Sequence, residues 1–399
     1  MGSDVLKLPA QEFARLARTL SARRSANPLR IGLVRDAETR NAMGSVPRFP
    51  GLDVVTFELE TDGAFADFDV SARSRELAAQ MEAAIREFIA KGRLDLVIEA
   101  TGRTLTGAMV CQAAIDHGHT IVSLNPRTDL ALGRYLRHQA HSRGLRYVFW
   151  QPETVRSALE LRHALELAGL RIVSLGAAVP AGEGDDALSP SDASSVMIEM
   201  ACLANATGIS LERPGMNGLR CSLDELARHY RPMEAGGILA VDNCIDYVVL
   251  DDGKHGVYAV VEEPADGTAD AEPTFRTVYS PVVHFEHGWL AGIAEALDED
   301  RELPEVTYRP VADVCAIAVR DVKPGERLAG TGDADYRNVA MRIDEVRWRE
   351  SIPIGLLEGA MAKQVIEPDE PIVLENCAID HTSRLFMLRG VQEALRPSS

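Results

Sequence analysis

Four short apolar runs recur between residues 92 and 176: "LDLVIEA" (94–100), "TIVSLN" (120–125), "LRYVFW" (145–150) and "LRIVSLG" (170–176). Each follows a glycine, Gly92, Gly118, Gly144 or Gly169, and the glycines are spaced by 26, 26 and 25 residues. Each glycine closes a stretch that reads as helix, since glycine readily takes the left-handed turn at a helix end. The clearest such stretch is 73–91, where Leu77, Met81, Ile85, Phe88 and Ile89 fall on one face. Continuous apolar strands separated by capped helices are the pattern of a parallel sheet covered on both faces. With "RIGLV" (30–34) and "LDVVTFELE" (52–60) as the first two strands, residues 28 to about 176 are predicted to form a doubly wound, Rossmann-like α/β domain.

Beyond residue 176 the pattern changes. "GAAVPAGEGDDALSPSDASS" (176–195) is rich in glycine, proline and acid, and reads as a flexible loop or lid at a boundary. An apolar helix and two glycine turns follow, in "SVMIEMACLANATGISLERPGMNGLRCSLDELARHYRPMEAGGIL" (195–239). Near the carboxyl end "VKPGERL" (322–328) and "IEPDEPI" (366–372) share one pattern, apolar-x-Pro-x-Glu-x-apolar. Proline pre-sets φ for a turn, so both predict turns flanked by strands in a compact β module. The expected divisions are 1–176, 177–307 and 308–399.

A doubly wound sheet binds ligands beyond the carboxyl ends of its strands. The first such loop is "RDAETR" (35–40), where a dinucleotide site would carry G-x-G-x-x-G. Those glycines allow a tight turn and let backbone amides approach a pyrophosphate at the helix N-terminus. Asp36 and Glu38 place carboxylates there instead. The loop reads as plain structure, as a grip for a carboxylate or single phosphate through Arg35 or Arg40, or, least favoured, as an ordinary dinucleotide loop. Glu58, at the end of strand two, stands where an acid holds adenosine ribose hydroxyls, which favours NADH over NADPH if a nicotinamide binds; solvent exposure explains it equally well. Gly32 and Gly102 complete the candidate cofactor contacts. "EATG" (99–102) and "SLNPRTD" (123–129) line the same rim, with Thr101 and Arg127 as candidate substrate contacts and Asn125 and Asp129 as candidate catalytic groups. Asn125 serves equally as a helix cap. Glu153 is either an acid or base in the cleft or a charge favouring the positive end of a helix. Met216 and Asn217 lie in "PGMNG", whose glycines allow close backbone approach to a ligand or to a neighbouring helix. Glu199 and Asn205, on or after the apolar helix, read as packing or dimer features.

Composition narrows the classes. The chain of 399 residues has 60 acidic and 42 basic side chains, a formal net charge of −18. That charge repels nucleic acid and anionic membranes, and no basic patch overrides it. Cys111, Cys202, Cys221, Cys244, Cys315 and Cys377 lie far apart without CxxC spacing, so no zinc site or disulfide framework is indicated and a reducing cytoplasm is expected. No signal peptide and no membrane-length apolar run is read. In "HFEH", His284 and His287 would face opposite sides of a strand, so no metal site is expected with Glu286.

The phrases "ANATG", "PGMNG", "RPMEAGGIL", "GVYAVV" and "IPIGLLEG", in this order, resemble the homoserine-dehydrogenase-like oxidoreductases with a C-terminal SAF domain. Within that group the chain is similar to the deoxyxylulose-phosphate reductoisomerase-like branch, with "RIGL", "EATG" and the "LN" before residue 126 as weaker anchors. The resemblance implies a Rossmann domain, a substrate and dimerisation domain, a C-terminal β-clip (SAF) module, a homo-oligomer, and NAD(P)H-dependent reduction of a small carbonyl compound. The chain departs from it where it matters chemically. The glycine fingerprint is replaced by "RDAETR"; a Gly-Asp-Glu-Pro stretch has "WQPETV" (150–155) in its place; a Lys-Gly-Lys segment has "GAAVPA" (176–181). With that lysine goes the obvious general acid. Three functions follow as expectations: an enzyme repurposed for a non-redox step on a small polar or phosphorylated metabolite, using no cofactor; an NADH-dependent reductase with an irregular loop; or a silent partner of an intact family member.

Overall fold

The computed structural model of the chain describes residues 14, 16–18, 20, 27–43, 46, 49–59, 72–182, 188, 190–263, 273–284, 287–298, 310–328 and 334–395. Strand β1 (Leu29–Asp36) runs directly into the short helix α1 (Ala37–Met43). Then come β2 (Leu52–Leu59), α2 (Ala72–Lys91), β3 (Leu96–Ala100), α3 (Thr104–Asp116), β4 (Thr120–Ser123), α4 (Pro126–His141), β5 (Tyr147–Phe149) and α5 (Glu153–Leu167). The five strands pair in parallel in the order β2-β1-β3-β4-β5, the Rossmann-like sheet that the apolar runs predict. Helix α2 turns its predicted face inward, burying Ile85 and Ile89. Gly118, Gly144 and Gly169 end their helices with φ of +80°, +67° and +72°, as helix-capping glycines do. After α2 the left-handed residue is Arg93, at φ 49°, and not Gly92.

The fourth apolar run corrects the expectation. It becomes β6 (Arg171–Pro180), which joins a second sheet, and its last residues replace the start of the expected lid loop. Helix α6 (Pro190–Thr207) follows, and residues 183–187 and 189 of that loop lie outside the described residues. Then come β7 (Leu219–Cys221), α7 (Leu223–His229), β8 (Cys244–Leu250), β9 (Gly256–Glu263) and β10 (Thr274–Pro281). The sheet order is β10-β9-β6-β8-β7, with β6 parallel to β8 and antiparallel to β9. Helix α8 (Leu290–Ala296) then returns to the first sheet, packing Trp289, Leu290 and Ile293 against Ile31, Ile98, Val122 and Val148. Helices α2, α3 and α4 cover the opposite face.

The apolar side of α6 is consumed inside the protomer. Val196, Met200, Ala201 and Leu203 pack in one core with Leu175 and Ile245 of the second sheet and with Val314 and Ala340. The last two belong to β11 (Ala312–Ala318) and β12 (Tyr336–Arg342), an antiparallel pair followed by α9 (Ile343–Trp348), β13 (Met361–Ala362), β14 (Cys377–Ala378) and α10 (Arg384–Ala394). Asn205 fastens α6 to β11: its Oδ1 accepts from the backbone N–H of Val311 (2.8 Å) and Ala312 (2.9 Å), and its Nδ2 donates to Ala312 O (3.0 Å).

The C-terminal repeat folds as a pair of matching turns. Val322 and Ile366, the first residue of each copy, exchange backbone hydrogen bonds of 2.9 and 3.0 Å. In each copy the glutamate turns back on the backbone: Glu326 accepts from Lys323 N (3.0 Å) and Glu370 from Glu367 N (2.9 Å).

Helices α3 and α4 meet at Gly107. A Cβ there would run into Thr128 Oγ1 and lie 2.9 Å from Asn125 Nδ2 and 3.1 Å from Glu99 Oε1. Gly107→Ala is therefore expected to cost about 1–3 kcal/mol, the usual penalty for overpacking. Urea unfolding would read it as a lower midpoint at unchanged slope; an unaltered midpoint would mean that the helices part freely.

Candidate functional site

With strand order 2-1-3-4-5 the crevice for a ligand opens where the order reverses, between the carboxyl ends of β1 and β3. Here the chain spans that crevice with its own acid. Asp36 Oδ1 accepts from Thr39 N (3.0 Å) and Thr39 Oγ1 (2.9 Å), capping α1, while Oδ2 accepts from Gly102 N (2.7 Å) on the β3 side. Thr39 Oγ1 also reaches Ala100 O. The amides of Thr39, in the first turn of α1, and of Gly102 are thus spent on a resident carboxylate that is only 4% exposed. A dinucleotide in the ordinary pose does not fit these residues. Gly102 contributes its amide to Asp36 and not to a cofactor. Gly32 sits inside β1, where a Cβ would collide with Leu94, so its role is packing.

Glu58 holds both candidate anion-binding arginines. Its Oε1 lies 2.7 Å from Arg35 and its Oε2 3.0 Å from Arg40. Hydrogen bonds from Arg35, then from Arg40, hold its carboxyl below the ordinary glutamate range. The structure thus sets ribose binding by Glu58 and substrate binding by Arg35 and Arg40 against one another, since each group already serves as the other's partner.

The next two strand ends are joined by a buried acid that "EATG" gave no reason to single out. Glu99 accepts from Thr101 N (2.8 Å), Thr101 Oγ1 (2.6 Å) and Ser123 Oγ (2.6 Å). Burial pushes its carboxyl upward against those hydrogen bonds. Asn125 is the cap of α4, its Oδ1 accepting from Thr128 N (3.1 Å) and its Nδ2 donating to Arg103 O (3.1 Å). Asp129 is 3% exposed and paired with Arg137 at 2.8 Å; burial raises its carboxyl. Thr101, Asn125 and Asp129 are thus buried within the rim's own hydrogen bonds and ion pair, and Asn125 takes the helix-cap role that was one of its two expected readings. Buried polar side chains must find such partners.

Met216 and Asn217 are placed elsewhere. Met216 is buried in the core shared by α6 and the second sheet, with φ 63°. Asn217 Nδ2 donates to Asp246 (2.7 Å) and to Glu212 (3.1 Å), and the amides of Asn217 and Gly218 also donate to Asp246. "PGMNG" is a turn wrapped around a buried carboxylate of β8, and its close approach is to Tyr247, which a Cβ on Gly218 would strike. Burial raises the Asp246 carboxyl, and the hydrogen bonds from Gly218 and Asn217 oppose the rise.

Chemistry converges at the end of β5. Glu153 opens α5, and its Oε2 lies 2.8 Å from Nδ1 of His284, which follows β10. Beside them Glu199 projects from α6. Burial, opposed by a hydrogen bond from Thr154 and reinforced by the charge of Glu153, pushes its carboxyl up to about 7. Gln151 Oε1, in the same connection, is a buried acceptor with no hydrogen-bond partner among the described residues. Glu153 is thus the expected catalytic residue that the structure joins to a histidine and to a second glutamate. Sequence reading took Glu199 for packing and His284 for a failed metal ligand; a lone acid inside "VMIEMACL" was the available signal. Among the described residues no group of three His, Cys, Asp or Glu is placed to hold a metal, and Glu286 lies outside them.

Residues 187–281 match the family described as oxidoreductase DRL, catalytic domain. The match spans α6 to β10, so it includes Glu199 and ends beside His284. No curated protein matches the chain. Solved structures similar to it include the WlbA dehydrogenase from Bordetella pertussis in complex with NADH and UDP-GlcNAcA, at 14% identity over 70% of this chain and 91% of that one, TM-score 0.37. Another is UDP-N-acetylglucosamine 3-dehydrogenase GnnA from Acidithiobacillus ferrooxidans, at 13% identity over 69% and 90%, TM-score 0.36. A third is biliverdin reductase from Synechocystis sp. PCC 6803, solved with biliverdin and NADP+, at 13% over 70% and 93%, TM-score 0.36. Likenesses this loose assign neither substrate nor cofactor. The chain carries an oxidoreductase-type segment, and no described helix is long and apolar enough to cross a membrane.

Glu199 supplies a pH test. Its folded pKa, about 7, exceeds the ordinary 4.5, so the folded state holds the proton more tightly than the unfolded chain. The associated stability is complete below about pH 4.5 and is lost as pH rises through 7. Glu199→Gln removes this dependence. Relative to wild type it should gain little at pH 5 and at most about 3 kcal/mol at pH 8, less whatever its partial exposure screens. Thermal melts of both proteins across that range check it; parallel curves would place the Glu199 titration elsewhere.

Proposed function

We propose that the chain is an enzyme of the oxidoreductase type that transfers a proton on a small, polar, hydroxyl- or carbonyl-bearing metabolite at the carboxyl edge of its parallel sheet. The observation that carries this is the 2.8 Å contact of Glu153 with His284 beside a glutamate pushed up to about 7. If His284 Nδ1–H donates to Glu153, Nε2 is left as the basic nitrogen, and the carboxylate steadies the imidazolium that forms when it takes a proton. Glu199 holds its proton to near neutrality and so suits the acid half of the exchange. Gln151 Oε1 offers an acceptor to a substrate hydroxyl. Two carboxyls with unlike environments and a histidine hydrogen-bonded to one of them form a working acid–base set.

The resemblance and the oxidoreductase match support descent from the homoserine-dehydrogenase-like group, with the β11–β14 segment as its SAF-like module. A proton-transfer step without a nicotinamide is favoured by Asp36, which holds the amides of Thr39 and Gly102 at the β1–β3 crevice. Losing several such hydrogen bonds, each contributing about 0.5–1.5 kcal/mol, moves a micromolar affinity toward millimolar. The second reading, an NADH-dependent reductase, is favoured by the match over 187–281 and requires the dinucleotide to be held away from the β1–α1 turn.

Calorimetric titration with NADH and NADPH separates the two. The first reading expects no dissociation constant below about 1 mM. A value of about 10 μM or lower for either nucleotide would overturn it in favour of the reductase.

A further inference from the structure

Most arginines on the carboxyl edge of the parallel sheet are engaged. Arg35 and Arg40 hold Glu58, Arg103 holds Glu358 at 2.9 Å, and Arg156 lies over the Trp150 ring, 4.0 Å from its centroid. Arg127 differs. It is half-buried, two residues past the Asn125 cap, and makes no hydrogen bond or ion pair among the described residues. Glu358, which follows the "IPIGLL" turn of the C-terminal segment, feels the charges of both Arg103 and Arg127. Glu358 thus lies in the field of two guanidiniums, on a chain whose net charge is −18. In such a field a free anion is repelled except where charge is reversed locally.

Sheet register sets the connections that carry Arg127 and Glu153 beside one another. Ser123 of β4 pairs with Phe149 of β5, and Trp150 N donates to Ser123 O at 2.9 Å. The connections after β4 and β5 therefore leave the sheet side by side, with Arg127 on one and Glu153 on the other. A guanidinium presents a planar fork that matches the two oxygens of a carboxylate or phosphate. We propose that Arg127, backed by Arg103, seats the anionic group of the substrate, a carboxylate or a phosphate monoester, while its hydroxyl or carbonyl lies toward Glu153 and His284. The anion seat is thus Arg127 and not Arg35 or Arg40. This deepens the proton-transfer reading and rests on the substrate lying along this edge.

The experiment needs no knowledge of the substrate. Inorganic phosphate and malonate, titrated separately into the full chain by calorimetry and thermal shift, distinguish phosphate from carboxylate recognition. Saturable binding of at least one is expected. Arg127→Ala should weaken it about tenfold or more, and Arg127→Lys by less, because the charge stays but the fork is lost. Glu358→Gln, which removes the carboxylate that attracts both Arg103 and Arg127, should tighten it severalfold. Arg162→Ala, on a helix surface away from this edge, should leave it unchanged. Glu153→Gln should also keep anion binding, so a failure of the proton-transfer assignment would not pass for a failure of the anion seat. Equal affinity in the Arg127→Ala and Arg127→Lys proteins, or no saturable binding of either anion to the wild type, overturns the proposal.

Discussion

A carboxylate withdrawn from water loses several kcal/mol of solvation unless donors replace the water. This chain meets that constraint at three turns with its own backbone. Asp36 draws in the amides of Thr39 and Gly102, Glu99 that of Thr101, and Asp246 those of Asn217 and Gly218. Each acid ties two segments that would otherwise be independent loops. Asp36 joins β1 to β3, Glu99 joins β3 to β4 through Ser123, and Asp246 joins β8 to the turn before β7. The edge of the molecule is consequently preformed, and its donors are already committed where a phosphate-binding relative would keep them open.

That commitment moves the chemistry along the sheet. At the β1–β3 crevice the polar groups satisfy one another. At the end of β5 they do not: Gln151 Oε1 has no partner among the described residues, and Glu199 carries a proton that burial will not let it release easily. His284 and Glu199 reach this point from different segments of the chain, one after β10 and the other on α6. The proposed acid–base set therefore depends on both segments meeting the start of α5.

Periodicity made the parallel sheet legible because strands buried on both faces must be continuously apolar, and helix-ending glycines mark their spacing. The same rule could not tell which sheet the run 170–176 would join, since a buried strand reads alike in either. The repeat at 322–328 and 366–372 was legible from its prolines and glutamates, and both copies close their turns with the same glutamate. The site was legible only in part. The departure from glycine at "RDAETR" follows from residue types, but the readings of Asn125 and Asn217 stayed open between ligand and structure because a polar residue in a loop looks the same whether it faces solvent, substrate or a buried acid. Pairing across distance, Glu153 with His284 or Asn217 with Asp246, leaves no local trace.

The apolar helix "SSVMIEMACLANA" shows the same ambiguity with a sharper consequence. An amphipathic stretch reports that a face is covered and not by what. Here β11, β12 and the second sheet cover it within one protomer, so the helix gives no support to an oligomer; that expectation rests on the family resemblance alone. Burial on this side also explains the chemistry of Glu199. An acid on a helix surface facing water would ionise near its ordinary value, whereas Glu199, desolvated beside Thr154 and Glu153 of α5, keeps its proton to near neutrality. The covering of α6 within the protomer thus goes with the desolvation that fits Glu199 to the proposed role of proton donor.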